Sequence, residues 1–166
     1  MNKLIVQPTA MAQWHALINE AQLAAHRELS EDLESYLVFL LMRFVEKPQI
    51  AATIFAVEYI ESLLKQGHDR KDKLRDVGDL CLLYSGLFPQ RAKRKRVNKT
   101  YFIDLGRSAY HHLSILLTQQ TAVVFHELAH GFDKVTDVLR ATRKVGSGKQ
   151  LVQMATGFQV DKPYRN

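Results

Sequence analysis

Apolar residues recur at every third or fourth position along most of the chain, the period of a helix that buries one face. Thr9 reads as an N-cap for a first helix that carries Trp14, Leu17, Ile18, Ala21 and Ala25 on one side. Ser30 opens a second helix, and Glu31, Asp32 and Glu34 follow it where the helix dipole favours negative charge. This second helix, to about Glu46, has Leu33, Leu37, Leu40 and Phe44 on one side and Val38, Met42 and Val45 on nearly the opposite side. A helix apolar almost all round belongs at the centre of a bundle or in an oligomer interface.

Pro48 stops that helix and can start a third, with Ile50, Ile54, Val57, Tyr59 or Ile60, and Leu64 inward and Gly67 as its C-terminal cap. A fourth helix from about Asp69 buries Leu74, Val77, Leu80, Cys81, Tyr84 and Phe88, and Pro89 ends it. A fifth from about Thr100 presents Phe102, Leu105, Ala109, Leu113 and Leu116, with Gly106 and Ala109 small enough for close helix contact. A sixth runs from about Gln119 to Arg143. No segment alternates apolar and polar residues over strand length, so the expected class is all-α, an antiparallel bundle of about six helices. Residues 1–145 form the expected bundle domain; the Gly146-Ser147-Gly148 break opens a partly flexible tail to residue 166.

Composition narrows the setting. A chain of 166 residues can bury a core without covalent staples. Its single cysteine, Cys81, cannot form an internal disulfide and, on the inward stripe, reads as packing. The N-terminus lacks the apolar stretch of a signal peptide and the longest apolar run stops at Arg43, so a cytoplasmic protein without a membrane span is expected. Net charge is +6, concentrated in Arg91, Lys93, Arg94, Lys95, Arg96 and Lys99 and in the tail. Clustered cations favour phosphates. Without interleaved aromatics or a reader motif they predict at most weak, salt-dependent nucleic-acid binding, and a solvated loop is the plainer reading.

One motif carries chemistry. In His126-Glu127-Leu128-Ala129-His130 two imidazoles four apart can ligate one zinc ion, with Glu127 as general base on metal-bound water. This segment resembles the active-site helix of zincin metallopeptidases. That resemblance implies a zinc-dependent hydrolase, but the third ligand is missing: no Glu or His follows His130. A helical wheel also gathers Phe125, Leu128, Phe132, Val135 and Leu139 on one side, leaving His126, His130, Asp133 and Asp137 roughly opposite, toward solvent. The reading favoured here is an amphipathic helix with a polar face, and the remaining metal hypothesis uses His126, His130 and Asp133.

Other candidates have plain readings. His112 lies near the edge of an apolar face and His111 points outward; Asp104 and Arg107 form an expected surface pair; Asp76 and Asp79 flank the buried stripe, although two carboxylates three apart could hold a metal. The stretches Asp32 to Phe44, Asp76 to Tyr84 and Phe102 to Tyr110 together resemble a proteobacterial family of all-helical proteins. That resemblance implies a bacterial cytosolic origin and brings no activity, cofactor or site residue. The expected function is therefore a non-enzymatic helical binding or adaptor protein whose partners are proteins, including a second copy through the apolar second helix. The alternatives are a zinc hydrolase and a nucleic-acid binder using the 91–99 segment.

Overall fold

The computed structural model describes residues 3–46, 70–87 and 100–145, and these are helical throughout apart from short connections. The helices are α1 (Lys3–Ala25), α2 (Glu31–Glu46), α3 (Arg70–Leu87), α4 (Tyr101–Leu116), α5 (Gln119–His130) and α6 (Phe132–Thr142). They pack into an all-α bundle around one core cluster. These are not the six expected from the pattern. The third expected helix, the 91–99 basic segment and the 146–166 tail lie outside the described residues, and the expected sixth helix is divided in two.

Local signals explain most boundaries. Ser30 caps α2 as expected: its Oγ accepts from the Leu33 amide at 3.2 Å. α1 starts at Lys3, about two turns earlier than a helix capped by Thr9 would. It ends in a Schellman turn, with Arg27 N bonded to Gln22 O at 3.0 Å and His26 N to Leu23 O at 3.2 Å. His26 occupies the left-handed position of that turn with φ 54°, where glycine is the usual residue. The buried Gln22 side chain completes the corner, accepting from Leu29 N at 2.7 Å and donating to Glu34 at 2.7 Å.

The centre of the bundle is α3, not α2. Every residue from Val77 to Leu87 is buried, whereas α2 leaves Phe39 61% exposed. The helix that looks most apolar in sequence is less enclosed than one interrupted by Gly78, Asp79, Ser85 and Gly86. The small residues are the reason. A Cβ on Gly78 would collide with the Tyr110 ring of α4, and one on Gly86 would lie 2.5 Å from Leu139 Cβ of α6. Lacking side chains there, α3 approaches α4 and α6 closely, and its most extensive contacts are with α4. Gly106 works the same way on α4, where an added Cβ would meet Phe132 at 2.6 Å and Cys81 at 2.8 Å.

Gly131 divides α5 from α6. Its φ of −102° and ψ of 20° leave the helical region, while Gly131 N still bonds Glu127 O at 2.7 Å and Gly131 O accepts from Val135 N at 2.9 Å. The apolar period passes through this break unchanged, with Phe125 and Leu128 buried before it and Phe132, Val135 and Leu139 after it. Periodicity alone therefore read one helix where there are two.

Candidate functional site

The polar face of α5 and α6 holds the metal-like motif. His126 and His130 are both exposed, as the helical wheel predicts, with ring centroids 4.1 Å apart. His130 Nδ1 lies 3.0 Å from the His126 backbone oxygen. A carbonyl can only accept, so Nδ1 is the protonated nitrogen of that ring and Nε2 keeps its lone pair when the imidazole is neutral.

The carboxylates of this face are engaged with residues outside α5 and α6. Glu127 accepts from Ser30 Oγ at 2.5 Å, holding α5 to the cap of α2. Asp133 pairs with Arg107 of α4 at 2.9 Å. Asp137 accepts from both Nε and a terminal nitrogen of Arg27, at 3.1 and 2.9 Å. The expected Asp104–Arg107 surface pair is thus replaced by a cross-helix pair, because Arg107 faces α6 while Asp104 points to solvent. Among the described residues no group of three or more His, Cys, Asp or Glu side chains is arranged to hold a metal ion. His112, expected near a buried edge, is exposed together with His111.

A second polar constellation was not singled out by the sequence. Asp79, expected to flank the buried stripe, is only 2% exposed at the heart of the bundle. Its Oδ1 accepts from Tyr36 Oη of α2 at 2.6 Å and from Tyr110 Oη of α4 at 2.7 Å. Its Oδ2 accepts from the Arg43 guanidinium of α2 and is ion-paired with it. One carboxylate therefore ties three helices, and its lone pairs are used as a buried charge requires.

Aromatic rings surround this hub. Tyr36 meets Phe125 edge-on at 5.5 Å, and Tyr110 lies 5.9 Å from Phe125 and 6.0 Å from Phe132. Burial pushes the Asp79 carboxyl above the usual carboxylate value, with Arg43 and the three hydrogen bonds acting the other way. Burial likewise holds the Tyr36 and Tyr110 phenols well above the ordinary tyrosine value, and the adjacent Asp79 charge adds to it. Cys81, fully buried beside them in α3, has its thiol raised well above the usual value by burial, in keeping with an inert packing role.

Tyr36, Arg43 and Asp79 of the hub line a cleft of about 680 Å³ between α2, α3, α4 and α5. Its walls are Phe39, Leu40 and Met42 from α2, Leu113 from α4, Leu117 from the α4–α5 connection, and Val124 and Phe125 from α5. Lys71, Asp72 and Arg75 from the start of α3 add charge to this lining. Phe39 also lines a neighbouring depression with Val123, which is likewise exposed.

Sequence reasoning missed this cleft because its parts come from four separate helices. Tyr36 and Arg43 are seven residues apart, two turns along one face of α2, which is the only local sign that they could share a partner.

No family model, curated protein or solved structure matches the chain. Among the described residues no helix is long and apolar enough to cross a membrane.

Proposed function

We propose that this chain is a helical binding protein and that the cleft between α2, α3, α4 and α5 is where it binds. The observation that carries the reading is the cleft itself. Its volume of about 680 Å³ falls in the range of small-molecule sites, about 300–1,000 Å³. Its walls are mainly apolar, with a few fixed polar groups among them, the arrangement that orients a ligand. A binding role is favoured over a hydrolytic one because Glu127, the base of the zinc-hydrolase alternative, accepts the Ser30 hydroxyl and holds two helices together.

Titration of the full chain with Nile red, a neutral apolar dye, tests this. Saturable binding at one site is expected, together with its loss in Val124→Glu, which puts a charge on the cleft wall. A dye that binds wild type and this variant equally, or does not bind at all, overturns the reading.

A second reading rests on the histidine pair. With Nδ1–H of His130 held by the His126 carbonyl, its Nε2 is oriented as a ligand in the manner of metal-binding histidines. Together with His126 it suits a divalent transition-metal ion such as zinc. A metal at concentration c that binds only the folded helix stabilises it by RT ln(1 + c/Kd), so the melting temperature rises with the logarithm of c once c exceeds Kd. Zinc is expected to raise it in wild type and in His112→Ala, and not in His126→Ala or His130→Ala. Equal responses in all four proteins dispose of the pair as a site.

A further inference from the structure

Resting on the cleft as the binding site, we infer that its ligand is an amphipathic monoanion, an apolar chain or ring system ending in a carboxylate, with the carboxylate at Arg75. The cations of the cleft differ in how far they are already paired. Arg43 is committed to Asp79, the acceptor it shares with two tyrosines. Arg75 is not committed in this way. Its Nε is shielded from solvent and has no hydrogen-bond partner, and a terminal nitrogen lies 3.8 Å from both Asp72 and Asp76. That separation is within ion-pair range and beyond a hydrogen bond.

A shielded guanidinium nitrogen without an acceptor is an expensive group, and an incoming carboxylate is the planar acceptor that fits a guanidinium best. Arg43, Lys71 and Arg75 line the cleft with Asp72 and Asp79, and Asp76 lies beside Arg75, so cations and carboxylates balance. A carboxylate adds one negative charge to this cluster and a dianionic phosphate adds two, which makes the carboxylate the better fit. A cationic group cannot accept from the Arg75 Nε. The rest of the ligand must be apolar, because beyond this charged cluster the walls are Leu113, Leu117, Val124 and Phe125, in continuity with exposed Phe39.

Three ten-carbon competitors separate the possibilities, each used to displace Nile red from the full chain below its micellar concentration: decanoate, decanol and decyltrimethylammonium. Decanoate is expected to compete about tenfold more strongly than decanol, the gain of a charge-assisted hydrogen bond to a half-buried guanidinium, with the ammonium weakest. In Arg75→Gln the decanoate-to-decanol ratio is expected to fall to about one, and in Lys71→Gln, on the exposed rim, to fall by less. Equal competition by decanoate and decanol in wild type, or a ratio that survives Arg75→Gln, overturns the carboxylate assignment while leaving the cleft as an apolar site. Failure of Nile red itself to bind overturns both.

Discussion

Ser30 Oγ donates to Glu127 at 2.5 Å, joining two residues that lie 97 positions apart in the chain. The same oxygen accepts from the Leu33 amide, so the glutamate at the centre of the metal-like motif fixes the cap of α2. Asp133 and Asp137 extend the pattern, Asp133 drawing Arg107 from α4 and Asp137 drawing Arg27 from the connection between α1 and α2. The acidic groups along this face tie it to other parts of the bundle.

Ser30→Ala removes both the cap acceptor and the donor to Glu127. It is expected to lower stability by about 1–2 kcal/mol, whereas Glu127→Gln, which keeps an acceptor for Ser30, costs less. Urea unfolding of the two variants checks the order. A larger loss for Glu127→Gln contradicts the capping role.

Asp79→Ala leaves the Arg43 guanidinium and the Tyr36 and Tyr110 hydroxyls without their shared acceptor, and a cavity in place of the carboxylate. A destabilisation of about 3 kcal/mol or more is expected, in the range for breaking a buried ion pair from one side. The double change Tyr36→Phe and Tyr110→Phe removes two of the donors and should cost less than Asp79→Ala, since it leaves the charged pair in place. Chemical denaturation of the two proteins side by side gives the comparison.

Gly106→Ala tests the close approach of α4 to α3 and α6. The added methyl meets Phe132 and Cys81 at distances real side chains do not adopt. Overpacking of this kind typically costs about 1–3 kcal/mol, and a melting temperature equal to that of wild type shows that the helices are not so tightly apposed.

His26→Gly acts in the opposite direction. The left-handed backbone at φ 54° costs a residue with a Cβ about 1 kcal/mol or more, and the greater unfolded-state freedom of glycine offsets only part of the gain. A stabilisation of about 0.5 kcal/mol is expected. A loss of stability in thermal unfolding points to another role for the imidazole.

Tyr36 and Tyr110 should be silent in an alkaline titration of the native protein. Their folded values lie well above the unfolded value near 10, so their contribution to stability is fully present below about pH 10 and is lost as pH rises toward the folded values. Absorbance at the tyrosinate band should therefore show at least two of the six tyrosines ionising only with cooperative unfolding. Gradual ionisation of all six in the folded protein contradicts the buried hub.

The amino-acid pattern by itself determined the helical class, the Ser30 cap, the inward stripes of α3 from Leu74 to Tyr84 and of α4 from Phe102 to Leu113, and the outward turn of His126 and His130. These are properties of spacing within one helix, and a period of 3.6 residues carries them without reference to any neighbour. Leu116, expected on the α4 stripe, is 38% exposed, and Phe88 lies outside the described residues. The tertiary structure alone decided the rest. It placed α3 at the centre, because Gly78 and Gly86 admit Tyr110 and Leu139 at distances that a hydrophobicity pattern does not record. It divided α5 from α6 at Gly131, where the backbone bends and the apolar period does not. It brought Tyr36, Arg43, Asp79 and Tyr110 to one point from three helices, and gave Arg107 to Asp133 rather than to nearby Asp104. Partners of a buried charge are set by which helix faces meet, and that choice is made by packing across separations of tens of residues.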